Sequence, residues 1–527
     1  MQWAKTLNKK RVLAILGFVA VFFLFRIPQL ENDVINPDAV NWHYRSEQFV
    51  VGLKHQIWDK TYQHYHPGVT LMWLSGIPIE GLKQITGATT YDQFSFQAFH
   101  FMAKYSIVMA QLVLSILILY WLAKILEFKK AFLVMVLLSF EPFFVGNSRL
   151  FHMDILFTLF VMAALVLSQL YIKEEKTSWA ILSGLFCGLS FLTKSIGIGV
   201  LLYVLGAGSF FLYLKTKDWK KCLGHFAVIL GSFAVVTFAL FPALWVAPVE
   251  VLVNIFTEGQ RIGIRNGHTQ VLFGQTTESA GWYFYPLVLL LKLSPFIIFG
   301  VLAYLYGIYR VFKDKRVQEE IIVLKEDKIV GLVSYSTIFY LGYFLVMSWP
   351  TKKIDRYMLV VYPLIALYAA FGYQTLIDVL KKKWNIGLVG LFIAYVALVI
   401  YPIYNYHPYQ FTYTSPIFGN SARANEIIAQ KSFGVGIFEV KDHLQANYGS
   451  DVEVGFIDTK PMKSIYPNSL VSDIRINGVS DYDILVLAVN EVIPQKVHES
   501  EVEFIKDTSI YINGLEYWRF YVKKDKL

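Results

Sequence analysis

Long apolar runs dominate the first three quarters of this chain, and a two-residue alternation takes over only near its end. The runs fall at residues 12–28, 98–123, 131–147, 153–172, 179–193, 196–214, 223–245, 286–311, 330–349, 357–379 and 385–402. Their lengths approach the roughly 20 residues that cross a hydrocarbon core, which predicts about eleven transmembrane helices. Two further stretches, 69–85 and 248–262, are apolar but carry scattered charges, and Gly76 and Pro78 interrupt the first. Both read as helices lying on the membrane surface.

Beyond residue 402 the texture changes. Segments 451–458, 481–489 and 515–523 hold alternating or compact apolar runs between polar turns and read as strands, with a helix near 437–447. The expected architecture is a multi-pass α-helical membrane module over residues 1–402, with external loops 29–97 and 246–285. A small extracytoplasmic α/β domain follows over residues 403–527, a length within the usual domain range.

Composition supports the membrane assignment: only 17% of the 527 residues are charged and 55% are hydrophobic, against about 25% charged in a soluble domain. With the N-terminus inside, alternate turns are basic: Lys124, Lys129 and Lys130; Lys215, Lys217, Lys220 and Lys221; Arg310, Lys313, Lys315 and Arg316; Lys381 to Lys383. Basic short loops stay cytoplasmic, so the N-terminus is expected inside and the C-terminus outside a plasma membrane. These clusters largely account for the net charge of +9 and call for no nucleic acid. The first apolar run leads into "FRIPQLEND" without a small-residue cleavage site and reads as a retained anchor. Cys187 and Cys222 lie within or beside spans, which offers no disulfide framework.

Ionisable residues gather at the external ends of the spans: Asp38, Arg45 and Glu47, then Glu141, Arg149, His152 and Asp154, then Lys194, then Lys352, Lys353, Asp355 and Arg356. Charge at membrane depth is costly and functional by default. Few charges lie near the middle of a span and no internal repeat is visible, which disfavours a transporter. Of the two acids from separate loops, Asp38 and Asp154, one can serve as general base and the other can hold a metal or position a partner. Arg149, Lys194, Lys353 and Arg356 suit a phosphate. Plainer readings stand beside these. Asp38 after Pro37 could cap a helix, Lys194 could snorkel to head groups, and Lys353 and Arg356 could be interfacial anchors. Glu141, before Pro142, could simply face water. His64 and His66 could be interfacial aromatics or a weak metal pair. No cofactor is certain; a divalent metal is possible, with Asp38, His64, His66, His152 and Asp154 as ligands, but no spacing demands one.

The order of an external Asp after the first span, "YHPG", "SRLFHMD", "GLSFLTKS" and "KKIDRYMLVVYPLIAL" resembles the GT-C glycosyltransferases. In particular it resembles relatives of the protein O-mannosyltransferases, the lipid A aminoarabinose transferase and the RgtA/B/C/D-like group. The resemblance covers residues 10 to 400 and extends weakly to 405–419. It implies a GT-C fold and an inverting hexosyl or pentosyl transfer on the outer face of the membrane. The donor would be a polyprenyl-phosphate-linked sugar seated among membrane lipids, and the acceptor a protein, lipid or glycan. It implies Asp38 as the catalytic Asp of the first loop, which deprotonates or orients the acceptor, and Asp154 as the acidic residue of the second, with Arg149 and His152 sharing the latter's loop. Lys194 and Arg356 would meet the donor phosphate, and His268 in "RNGHTQ" matches a histidine of a later external loop. Relatives often carry Glu after the first Asp; Ala39 stands here, so that role is absent or falls to Glu47. Arg45 and Glu47 are expected to support sugar or phosphate. The competing functions are a glycan ligase or polymerase using lipid-diphosphate carriers, and a lipid-linked glycan transporter.

Overall fold

The computed structural model of the protein describes residues 9–89, 91, 92, 94–263, 269–313, 327–383 and 386–526. Each expected apolar run is helical. Among the described residues, seven helices are long and apolar enough to cross a membrane, or nine if each of two bent pairs counts as one. The difference from eleven has a local cause. Lys9–Arg26 carries Lys9, Lys10, Arg11 and Arg26, and Thr177–Thr193 is only 17 residues long. In the bent pairs, Phe128–Ser139 meets Pro142–Ser148 at 69° and Phe284–Lys292 meets Pro295–Arg310 at 116°. Proline at the start of a helix fixes its own φ and needs no partner for an N–H, so each second half can begin afresh in a new direction.

The two breaks are clasped together. The Glu141 carboxylate accepts hydrogen bonds from the backbone N–H of Ser294 and, at 2.8 Å, from its hydroxyl. Glu141 is 1% exposed, so the reading of a helix-end acid facing water is corrected: it is an interior cap for a second helix start. The helix Asp154–Glu174 is the hub of the bundle, 94% of its apolar window buried inside the protein, whereas Trp219–Leu240 and Leu388–Asn405 bury 17% each. Hydropathy alone cannot separate these cases, because lipid and neighbouring helices are equally apolar.

Val69–Thr86 is a continuous helix through Gly76 and Pro78. A Cβ at Gly76 would lie 2.8 Å from Val50 Cγ2 and 3.0 Å from the Ser46 carbonyl oxygen, so glycine lets this helix press against Pro37–Lys54. Pro248–Gly263 buries Val251 and Ile255 and exposes Val249, Leu252, Val253 and Phe256, the two-faced pattern of a surface helix.

A short hairpin pairs β1 (Gln270–Leu272) with β2 (Gln275–Thr277). The tail is built on a five-stranded sheet, with β3 (Val454–Phe456), β4 (Val471–Asp473), β5 (Ile484–Ala488), β6 (Phe504–Ile512) and β7 (Leu515–Lys523) in the order β4-β3-β5-β7-β6. β3 runs parallel to β4 and β5, and β7 runs antiparallel to β5 and β6. All five residues of β5 are buried, as a central strand covered on both faces requires.

The sheet packs directly on the membrane part. Val34, Ile35 and Leu150 belong to the same apolar cluster as Val454, Val486 and Trp518, and Val34 bridges Val435. Beneath this junction Asp33 is ion-paired with both Lys104 and Arg149. Arg149 donates to Asp33 Oδ2 at 3.0 Å and to the carbonyls of Phe25 at 3.2 Å and Pro28 at 2.9 Å. Arg149→Met leaves a buried carboxylate short of one partner and two carbonyls without their donors. It is expected to cost about 3–5 kcal/mol, read as a lower thermal-unfolding midpoint in detergent; an unchanged midpoint would contradict this role.

Candidate active site

Four segments far apart in sequence converge at the end of the bundle that carries the tail. The helix Pro37–Lys54 is capped by Asn36, whose side chain accepts from Ala39 N–H at 2.7 Å, with Pro37 at the first helical position. Asp38 is therefore not the cap. It is the next residue in, at a helix N-terminus where the macrodipole favours negative charge, and its side chain is 48% exposed. Asp154 opens the hub helix, Lys194 follows the last residue of Thr177–Thr193 in extended conformation, and Arg356 lies in the tight turn Asp355–Val361.

These groups form one network. The His152 imidazole stands between the two acids, with Nε2 3.5 Å from Asp38 Oδ2 and Nδ1 2.8 Å from Asp154 Oδ2. Lys194 Nζ is ion-paired with Asp154 Oδ1. Arg356 reaches both acids, 3.4 Å from Asp154 Oδ2 and 3.8 Å from Asp38 Oδ2. The Lys194 ammonium also lies over the rings of Tyr357, at 5.4 Å, and Phe157, at 5.9 Å. Burial alone would push the Asp38 carboxyl up, but the hydrogen bond and charge of His152, with attraction from Arg356, hold it well below the usual carboxylate range. Asp154 meets two cations and an imidazole; Asp38 is the acid that solvent, and an incoming group, can reach.

The histidine loop forms the rim. His66 Nδ1 lies 3.2 Å from the Ser195 hydroxyl, next to Lys194, and the His64 ring meets Trp42 edge-on at 5.9 Å. The loop is fastened there by Gly68 N–H to the Thr193 carbonyl at 3.3 Å and by Thr70 to Thr193, hydroxyl to hydroxyl, at 2.7 Å. Burial, with the charge of Arg45, pushes the His64 imidazole down to about 4, and burial with Lys194 pushes His66 well below its ordinary value. Both rings are neutral at pH 7 and act there as hydrogen-bonding groups rather than cations. Among the described residues, no three His, Cys, Asp or Glu side chains converge in a group that could hold a metal.

Other expected site residues lie elsewhere. Arg149 is corrected: its three guanidinium nitrogens are spent on Asp33, Phe25 and Pro28, away from the cluster. Glu47 turns to Lys83, which ties two helices rather than facing sugar or phosphate. Lys353 donates to the Pro350 carbonyl at 2.6 Å, within its own loop. Arg45 is the exception: it stacks over Trp42 at 4.6 Å, two turns along the helix from Asp38, and stays at the rim, where its charge acts on His64. His268 lies outside the described residues. The sequence reading missed Asn36 as the cap, although Asn before Pro is a readable helix-start signal, and it missed Asp33, Ser195 and Phe433, which are recognisable only by contacts across the chain.

Residues 94–245 match the family model of dolichyl-phosphate-mannose-protein mannosyltransferases. No curated protein matches this sequence significantly. The structure is similar to that of ArnT from Cupriavidus metallidurans bound to undecaprenyl phosphate, with 12% identity, a TM-score of 0.52, and 96% of this chain and 97% of that chain covered. It resembles the apo state of the same enzyme at 11% identity and a TM-score of 0.51, with 97% of each chain covered.

Proposed function

We propose that this multi-pass membrane protein, whose fold is that of the GT-C glycosyltransferases, transfers a sugar from a polyprenyl-phosphate donor to an acceptor hydroxyl on a protein, lipid or glycan. The reading rests on one observation: an acid accessible to solvent, Asp38, shares an imidazole and an arginine with a buried acid, Asp154, that holds a lysine beside it. A family match over 94–245 and the likeness to an enzyme solved with undecaprenyl phosphate support it.

The chemistry follows from these groups. The acceptor O–H gives its proton to Asp38 as its oxygen bonds to the anomeric carbon, and the bond from that carbon to the phosphate oxygen breaks. The electron pair leaves with polyprenyl phosphate, whose growing charge Lys194 and Arg356 stabilise. Asp154 keeps both cations aimed at that point, and His152 fixes the spacing of the two acids. A single displacement of this kind inverts the anomeric centre. A divalent metal held by Asp38, His152 and Asp154 would have to displace the cations already paired with them, so no step is assigned to one.

An outer-face site with the N-terminus inside fits the charge distribution. The tail and the five-residue cluster share one end of the bundle, while at the other Lys215 and Lys221 pair with Glu175 and Lys173 donates to the Lys124 carbonyl, the end that basic residues mark as cytoplasmic. We propose the plasma membrane as its location.

Purified protein incubated with a panel of polyprenyl-phosphate sugars and candidate acceptors is expected to yield a glycosylated acceptor, detected by mass; no transfer from any donor would contradict the reading. The state of Asp38 gives a second test. Its folded value lies below the ordinary one, so it stays ionised as pH falls through the carboxylate range. The rate kcat/KM is thus expected to show no carboxylate limb between about pH 4 and 6. A limb centred there would contradict the ion-paired assignment.

A further inference from the structure

The tail sends one of its aromatic side chains, Phe433, into contact with the cluster. The segment Ser432–Gly436 leaves the tail, runs along the start of the first external loop, and places the Phe433 ring against Arg356, with the guanidinium carbon 4.2 Å from the ring centroid. The backbone is shaped for this approach. Phe433 adopts φ +48° and Gly434 φ +72°, both in the left-handed region. A Cβ at Gly434 would lie 1.9 Å from the Ile35 carbonyl oxygen, so only glycine lets the segment lie this close to the extended stretch that leads into Asp38.

The segment is held at both ends. Val435 bridges Val34 on the membrane side, and on the tail side its carbonyl accepts from Trp518 Nε1 at 2.8 Å. The Phe433 ring also stacks with Phe411, centroids 5.0 Å apart and planes 23° apart. Phe433 is thus fixed by the sheet, by a neighbouring ring and by a left-handed turn, all for a ring whose polar contact is Arg356.

We propose that Phe433 is a positioning residue: the tail uses it to hold the Arg356 guanidinium face-on, so that its N–H edge points at the space between Asp38 and Asp154. The ring occupies the cation's face, where a ring quadrupole attracts it, and leaves the in-plane donors directed at acceptors. Those donors reach the acids only at 3.4 and 3.8 Å, longer than the 2.7–2.9 Å of a tight charge-assisted bond. A phosphate oxygen entering between the acids would find the donors already aimed. The tail then completes the phosphate site, and the site is incomplete without it. The inference rests on the reading of Lys194 and Arg356 as phosphate cations.

The test uses full-length protein in lipid nanodiscs and measures binding of undecaprenyl phosphate, with undecaprenol, which lacks the phosphate, as control. Phe433→Leu keeps an apolar side chain and loses the π face; it is expected to weaken undecaprenyl phosphate about 3- to 30-fold, the range of a cation–π contact, with undecaprenol binding and the thermal midpoint unchanged. Phe433→Tyr restores the face and is expected to bind within about twofold of wild type. Wild-type binding by Phe433→Leu, together with loss of binding by Arg356→Ala, would overturn the role of Phe433 and leave the phosphate site standing. Wild-type binding by Arg356→Ala would overturn the phosphate site and the inference with it. Equal losses in Phe433→Leu and Phe433→Tyr, accompanied by a lower midpoint, would reduce Phe433 to packing and overturn the inference.

Discussion

Asp38→Asn is expected to lower sugar transfer by about 10²–10⁴-fold, the contribution of a positioned general base, while binding of the lipid donor persists. The amide keeps the size of the side chain and can still bond to His152, so the helix start and the cap at Asn36 are undisturbed. What is lost is the ability to take a proton. Loss of charge also removes one of the two acids facing Arg356, which leaves that cation directed at Asp154 alone; donor binding is therefore expected to hold or tighten slightly. Measuring transfer and donor binding on the same preparation separates the two effects. Unchanged transfer would remove Asp38 as the base, and lost donor binding would make it a structural member of the cluster.

Lys194→Gln is expected to reduce transfer by about 10- to 150-fold, the worth of roughly 1.5–3 kcal/mol for a hydrogen bond to a charged group. It also deprives Asp154 of a close partner, and an under-compensated buried charge destabilises a fold. The two consequences come apart in the double variant Lys194→Gln/Asp154→Asn. Neutralising the acid removes the charge that Lys194 was balancing, so the thermal midpoint is expected to recover toward wild type. Transfer is not expected to recover, because no ammonium remains to meet the departing phosphate. Recovery of both would make Lys194 a structural counter-ion to Asp154 and leave the phosphate to Arg356.

Much of this site was readable before the structure because its residues break a simple expectation. Asp38, His152, Asp154, Lys194 and Arg356 are ionisable groups at the ends of apolar runs, where charge is conspicuous and expensive. Arg149 met the same criterion and went astray: three residues before His152, it points inward to Asp33, and sequence spacing in an irregular loop does not say which way a side chain turns. Glu141 misled for a related reason, since its partner is a helix start more than a hundred residues away. Phe433 gave no signal, because an aromatic residue in a polar tail is unremarkable until the fold brings it to Arg356.

The tail shows a similar division. Strands β3, β5 and β7 were expected from their apolar runs, whereas the three-residue β4 and the long β6 were not. The register of β6 shifts between Lys506 and Thr508, where Asp507 is the extra residue on β6, and that bulge flips the face that the following residues present, which breaks the two-residue alternation. The turn signal was there: Asn513 and Gly514, both at positive φ, join β6 to β7 in a two-residue loop, the strongest short-range mark of a hairpin. In the membrane part, spans that bend at Pro142 and Pro295 read as single apolar runs, since hydropathy carries no direction.

The most direct measurement is the identity of the lipid released during turnover. Wild-type protein supplied with a polyprenyl-phosphate sugar and its acceptor is expected to release polyprenyl monophosphate in equal amount to the glycosylated acceptor, and Asp38→Asn to release almost none. A polyprenyl diphosphate product, or undiminished release by Asp38→Asn, would contradict the account.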